Sequence, residues 1–141
     1  MRMFETESSL LEPVCGTLRR RGFRQQRPEM QFFEYSMDLY GYAALEHKTI
    51  AVELKLVRWM RAFEQALIYQ LCADYVYLAL PEQGARRVDL SLLKKHGIGL
   101  ICVRPGPRCL ILLHATLSHV IDVGYRDFYI GLLKERERWG R

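Results

Sequence analysis

Apolar positions along this chain recur first at helical spacing, then at every second position, then at helical spacing again. Leu10, Leu11, Val14 and Leu18 form one stripe and predict a helix within Glu5–Arg21. Pro13 belongs in a first turn, so the helix proper is expected to begin near Glu12 and to stop at Gly22. From Gln31 to Ala44 the period falls to two: Phe33, Tyr35, Met37 and Leu39 alternate with Glu34, Ser36, Asp38 and Tyr40. This stretch predicts one bent strand or two short ones. Glu46-His47-Lys48 reads as a polar turn and Thr49–Leu56 as a strand.

Met60, Phe63, Leu67 and Leu71 share a stripe and predict a helix over Met60–Ala73, with Arg61, Gln65 and Tyr69 together on another side. Asp74–Leu80 and Ile98–Val103 are nearly continuous apolar runs, the mark of strands buried on both faces. Between them, Pro81-Glu82-Gln83-Gly84 breaks the chain and Leu90–His96 reads as a short helix capped by Gly97. Pro105-Gly106-Pro107 turns the chain into an expected edge strand, Arg108–His114. Leu117–Arg141 looks helical around Gly124. The order predicts an α/β fold, a central mixed β-sheet flanked by helices, formed by residues 1–141 as a single domain.

Half of the 141 residues are hydrophobic, enough for a real core, and charged residues are dispersed, which argues against disorder. No apolar run reaches the roughly 18 residues of a membrane span, and no signal-peptide pattern opens the chain. Cys15, Cys72, Cys102 and Cys109 sit in apolar contexts without metal-type spacing, so free thiols and a reducing, cytoplasmic setting are expected. The histidines, His47, His96, His114 and His119, likewise lack ligand spacing and read as structural or surface residues. A net charge of +5 makes polyanions plausible partners. Arg19-Arg20-Arg21, Arg24, Arg27, Arg58, Arg61, Arg86-Arg87 and Lys94-Lys95 could sum to a phosphate-facing surface, or simply solvate helix ends.

The chemistry concentrates around Glu53-Leu54-Lys55. Alternation puts Glu53 and Lys55 on one face of the strand, with Val52, Leu54 and Leu56 on the other. Asp38, one hairpin upstream, brings a second carboxylate within reach. Two carboxylates suit hard Mg²⁺ (or Mn²⁺), which keeps several waters and takes substrate phosphate as a further ligand. Lys55 would orient the attacking water or offset charge in the transition state. Gln65 and Tyr69, four apart on a helix, could hydrogen-bond a phosphate or the metal-bound water network from the flank. Gly41 is a candidate bulge that would re-aim Asp38, and an exposed Tyr40 or Tyr42 could stack on a base.

At these positions the chain resembles the PD-(D/E)XK nuclease superfamily, from about Met37 to Pro81. The resemblance rests on Met37-Asp38, Glu53-Leu54-Lys55 and Gln65-Ala66-Leu67-Ile68-Tyr69, the last similar to the Q-x-x-x-Y helix of RecB-type members. Met37 stands where the motif has its proline. The resemblance implies a restriction-endonuclease-like core and Asp38 and Glu53 as Mg²⁺ ligands. It further implies the Leu54 carbonyl as an additional ligand, Lys55 as catalytic lysine, and an acidic residue from the first helix, for which Glu12 is the candidate.

Each piece alone has a bland reading. E-x-K on a strand is usually a solvent-facing pair of opposite charges, and Asp38 a surface residue. Their combination, in order and at hairpin and helix spacing, favours a Mg²⁺-dependent nuclease acting on DNA, with Arg58 and Arg61 on its phosphates. Repair, recombination or defence would suit such an activity. RNA as substrate, endonucleolytic or exonucleolytic cutting, and a homodimer or larger complex all stay open. The alternatives are a non-catalytic nucleic-acid-binding or scaffolding protein of the same fold, and a small protein-interaction module.

Overall fold

The computed structural model describes residues 4–106 and 108–139, with side chains through residue 135. A 3-10 turn, Glu7–Leu10, leads into helix α1, Leu11–Arg20. Strands β1 (Gln25–Phe32), β2 (Tyr35–Ala43) and β3 (Lys48–Leu54) form an antiparallel meander. Helix α2 (Trp59–Tyr69) crosses to β4 (Tyr75–Pro81), and helices α3 (Glu82–Ala85) and α4 (Leu90–His96) cross to β5 (Gly99–Val103). Edge strand β6 (Cys109–Leu113) and helix α5 (Val123–Trp139) follow. The six strands lie in sequence order, with β3, β4 and β5 parallel to one another and β6 antiparallel to β5.

The protein is therefore α/β, a six-stranded mixed sheet covered by helices. Leu10, Val14 and Leu18 of the first helical segment bury themselves against Leu39, Val52, Leu54 and Val103 on one face. Ala62, Phe63, Ala66 and Tyr69 of α2, with Tyr129, Ile130 and Leu133 of α5, pack against Tyr40, Ala51, Leu78 and Leu80 on the other. Removing this apolar surface from water is the main stabilising contribution. A buried polar contact joins the starts of β3 and β4. There Asp74 accepts from the Thr49 N–H at 2.8 Å and the Thr49 hydroxyl at 3.0 Å, and pairs with Arg126 of α5 at 3.2 Å.

Several elements differ from the sequence expectations, each for a physical reason. β1 was not expected, because Gln-Gln-Arg-Pro-Glu is polar; an edge strand needs only one buried side and tolerates Pro28. The alternating stretch is two strands, broken at Phe33-Glu34, where Phe33 adopts φ 54°. β3 stops at Leu54, so Lys55 lies one residue beyond it. Helix α2 ends at Tyr69, four residues early, and its buried face is Ala62, Phe63, Ala66 and Tyr69; of the expected stripe Phe63 lies on that face, while Leu67 and Leu71 are half-buried beside it. Met60 is exposed. α3 forms where only a break was expected, and α5 starts at Val123, later than the helical pattern suggested. α4 occupies Leu90–His96 as expected, closed by Gly97 at φ 76°. All four cysteines are free. Pro107 and residues 140–141 lie outside the described residues.

Candidate active site

The register between β2 and β3 pairs Leu39 with Val52 and Tyr40 with Ala51. Continued one step, it sets Asp38 opposite Glu53 on the sheet face that α2 covers. The carboxylates of a cross-strand pair approach closely there. The β1–β2 ladder steps from Pro28 opposite Leu39 to Met30 opposite Met37. Glu29, at φ 54°, is thus left opposite Asp38. Gly41, the candidate bulge, instead keeps regular pairing with Gln26 and Ile50.

Asp38 is half-buried and its Oδ2 accepts from the Leu54 N–H at 2.8 Å. That bond fixes the carboxylate at the end of β3. Burial raises its pKa, against the lowering pull of the Leu54 N–H and of Lys55. Glu53 is only 5% exposed. Burial first, and then the Asp38 carboxylate, pushes its carboxyl up to about 8. Its Oε1 is buried without a hydrogen-bond partner among the described residues. Such an atom is costly to leave unsatisfied.

Tyr69 lies beside Glu53, and its hydroxyl donates to the Ser36 carbonyl at 3.2 Å. Burial and then the nearby Glu53 and Asp38 charges raise its pKa. The sequence placed Tyr69 on a polar stripe; it is fully buried against the sheet. Gln65, one turn earlier on the same stripe, is half-buried, and its Oε1 too is buried without a partner. Lys55 reaches Glu7 at 3.9 Å, a weak and partly exposed pair.

Glu7 is the residue that sequence reasoning missed. Its charge bears on both Asp38 and Glu53, whereas exposed Glu12 bears on Cys15. Of these two acids, Glu7 is the one whose charge bears on the cluster. The signal was present in a polar Thr6-x-x-Ser9 capping turn ahead of Pro13, where Thr6 accepts from the Ser9 N–H. Arg58 precedes α2 and Arg61 sits in its first turn, both exposed. Tyr40 and Tyr42 are buried and unable to stack on a base; their hydroxyls bind the Cys72 carbonyl and the His47 ring.

Among the described residues no three His, Cys, Asp or Glu side chains are grouped to hold a metal ion. Mg²⁺ needs less: one or two carboxylates, with waters and substrate phosphate completing its shell. Asp38 and Glu53 with the unpartnered Glu53 Oε1 meet that requirement. No helix of the described residues is long and apolar enough to cross a membrane.

No family model and no curated protein matches this chain. A solved structure does, a protein of unknown function from Silicibacter pomeroyi. It is 17% identical, with a TM-score of 0.73 over 97% of this chain and 89% of that one. The likeness extends across the whole sheet and its helices and shows a shared fold.

Proposed function

We propose that this chain is a Mg²⁺-dependent nuclease of the PD-(D/E)XK type, hydrolysing phosphodiester bonds of DNA. The observation that carries the reading is buried Glu53, with an orphaned oxygen, paired with half-buried Asp38. Two carboxylates in one poorly hydrated corner repel each other, and a divalent cation is the partner that relieves them.

Asp38 and Glu53 would hold the cation, with the Leu54 carbonyl as a third oxygen. When bound, Mg²⁺ lowers the pKa of its water and offsets charge growing on the phosphate. The Leu54 N–H keeps Asp38 aimed at the site before substrate arrives, which removes reorganisation from the reaction itself. Lys55, steered by Glu7, orients the attacking water and balances negative charge on the phosphoryl oxygens. The Gln65 amide binds a phosphate oxygen through its N–H₂ group. Tyr69 packs against Glu53 and fixes its rotamer. Arg58 and Arg61 contact flanking phosphates without reading sequence.

Purified protein incubated with supercoiled, linear, single-stranded and branched DNA tests this. Cleavage should need Mg²⁺ or Mn²⁺ and stop with chelator. Metal-independent binding without cleavage of any form would replace the nuclease with a nucleic-acid-binding or scaffolding protein.

A further inference from the structure

Two adjoining cavities lie on the sheet face covered by α1, opposite the face where Tyr69 meets Glu53. The larger, about 580 Å³, is walled by Thr17, Arg20, Arg21, Arg108 and Cys109, between the end of α1 and the start of β6. The smaller, about 260 Å³, has Arg21 as a shared wall and runs under it to Phe23, Tyr75, Tyr77 and His114. Neither shares a residue with the Asp38–Glu53 cluster.

The larger cavity has the electrostatics of an anion site. Its three guanidinium groups are exposed and form no ion pair among the described residues. No lining residue is acidic. Three unpaired guanidinium groups around one cavity favour an anion there, and the planar fork of arginine matches phosphate oxygens bidentately. Arg20 Nη2 also donates to Thr17 Oγ1 at 3.3 Å, which orients one fork along the cavity wall.

The smaller cavity has the composition of a base slot. Phe23 and Tyr75 are half-buried, so each offers part of a ring to solvent. Tyr77 is seated by Gly99: a Cβ there would stand 2.3 Å from Tyr77 Cε2. Every nucleobase has a π-face that such rings can stack upon. We infer that the two cavities form one nucleotide site. Arg20, Arg21 and Arg108 take the phosphate, and the half-buried rings of Phe23 and Tyr75 take the base, with buried Tyr77 as the floor beneath them. A base inside a duplex is already stacked and cannot enter the slot. The ligand is therefore a free mononucleotide or an unpaired nucleotide of a single strand.

Calorimetric titration in EDTA separates this site from the metal cluster, since neither carboxylate is then engaged. The probes are deoxyadenosine monophosphate, deoxyadenosine, inorganic phosphate and a six-residue single-stranded oligodeoxyadenylate, each with wild type, Arg21→Gln, Arg108→Gln, Tyr75→Leu and, as surface control, Arg87→Gln. Folding of each variant is checked by circular dichroism. The site requires that the monophosphate or the oligonucleotide bind more tightly than either phosphate or nucleoside. Loss of Arg21 or Arg108 should weaken that binding about tenfold or more. Tyr75→Leu should reduce the advantage over inorganic phosphate, and Arg87→Gln should change nothing. Binding of the oligonucleotide alone identifies a single strand as the source; binding of the monophosphate identifies a free nucleotide. Failure of both to bind overturns the inference. So does binding indifferent to Arg21 and Arg108, or phosphate binding as tightly as the nucleotide.

Discussion

Replacing Glu53 with Gln should make the protein more stable in alkaline solution and less responsive to metal. Burial and the neighbouring Asp38 push the Glu53 carboxyl up to about 8 in the folded state, against an ordinary value of 4.5. Because the folded value is the higher one, the native state holds more protons than the unfolded chain between those limits. The stabilisation from the neutral carboxyl is complete below about pH 4.5 and is lost as pH rises through 8. Between pH 5 and 8 the loss is on the order of 3 kcal/mol, or roughly 10 °C in Tm for a chain of this size. Asp38 is shifted in the same direction and adds to the slope. An amide mimics the protonated carboxyl, so Glu53→Gln should flatten most of this dependence. Mg²⁺ should raise the wild-type Tm at pH 8 by binding the ionised pair, and leave Glu53→Gln nearly unmoved. Thermal melts from pH 5 to 8.5, with and without Mg²⁺, read all of this. Parallel pH slopes for wild type and Glu53→Gln would refute the reasoning about the buried carboxyl.

Asp38→Ala should abolish cleavage and also cost about 1–3 kcal/mol in denaturant unfolding, because the Leu54 N–H loses its acceptor; Asp38→Asn should keep that stability but lose metal. Lys55→Ala should lose most turnover while metal binding, followed by Mn²⁺ titration, stays intact. Arg58→Ala or Arg61→Ala should weaken DNA binding and lower its salt slope by about one each, measured by fluorescence anisotropy across ionic strength. Arg126→Met should destabilise the fold by about 3 kcal/mol, since Asp74 is left buried without its cation; unchanged chemical denaturation would show that the Thr49 bonds suffice for Asp74.

Where side-chain period and strand burial coincide, sequence reasoning recovered the fold. β4 and β5 are continuous apolar runs because helices cover both of their faces, and α4 ends at a glycine that takes a positive φ. The edge strand β1 was invisible because exposure removes the apolar alternation that marks a strand. Glu53 and Asp38 were legible as a pair, since a meander fixes their register once β3 is placed. The burial of Tyr69 was not. An amphipathic helix was read by its largest apolar residues, yet α2 turns its small residues, Ala62 and Ala66, toward the sheet and so brings Tyr69 against Glu53. Glu7 escaped notice because it sits in a 3-10 turn ahead of the helix, where no period distinguishes it from a solvated terminus.

Single-turnover cleavage of DNA in Mg²⁺ by wild type, Asp38→Asn and Glu53→Gln, all prepared identically, bears on the nuclease reading most directly. Wild type should cut and each variant should lose on the order of a thousandfold in rate while remaining folded. Equal rates in all three preparations, or no cleavage by wild type of any DNA form, would mean that the Asp38–Glu53 pair does not carry phosphodiester hydrolysis.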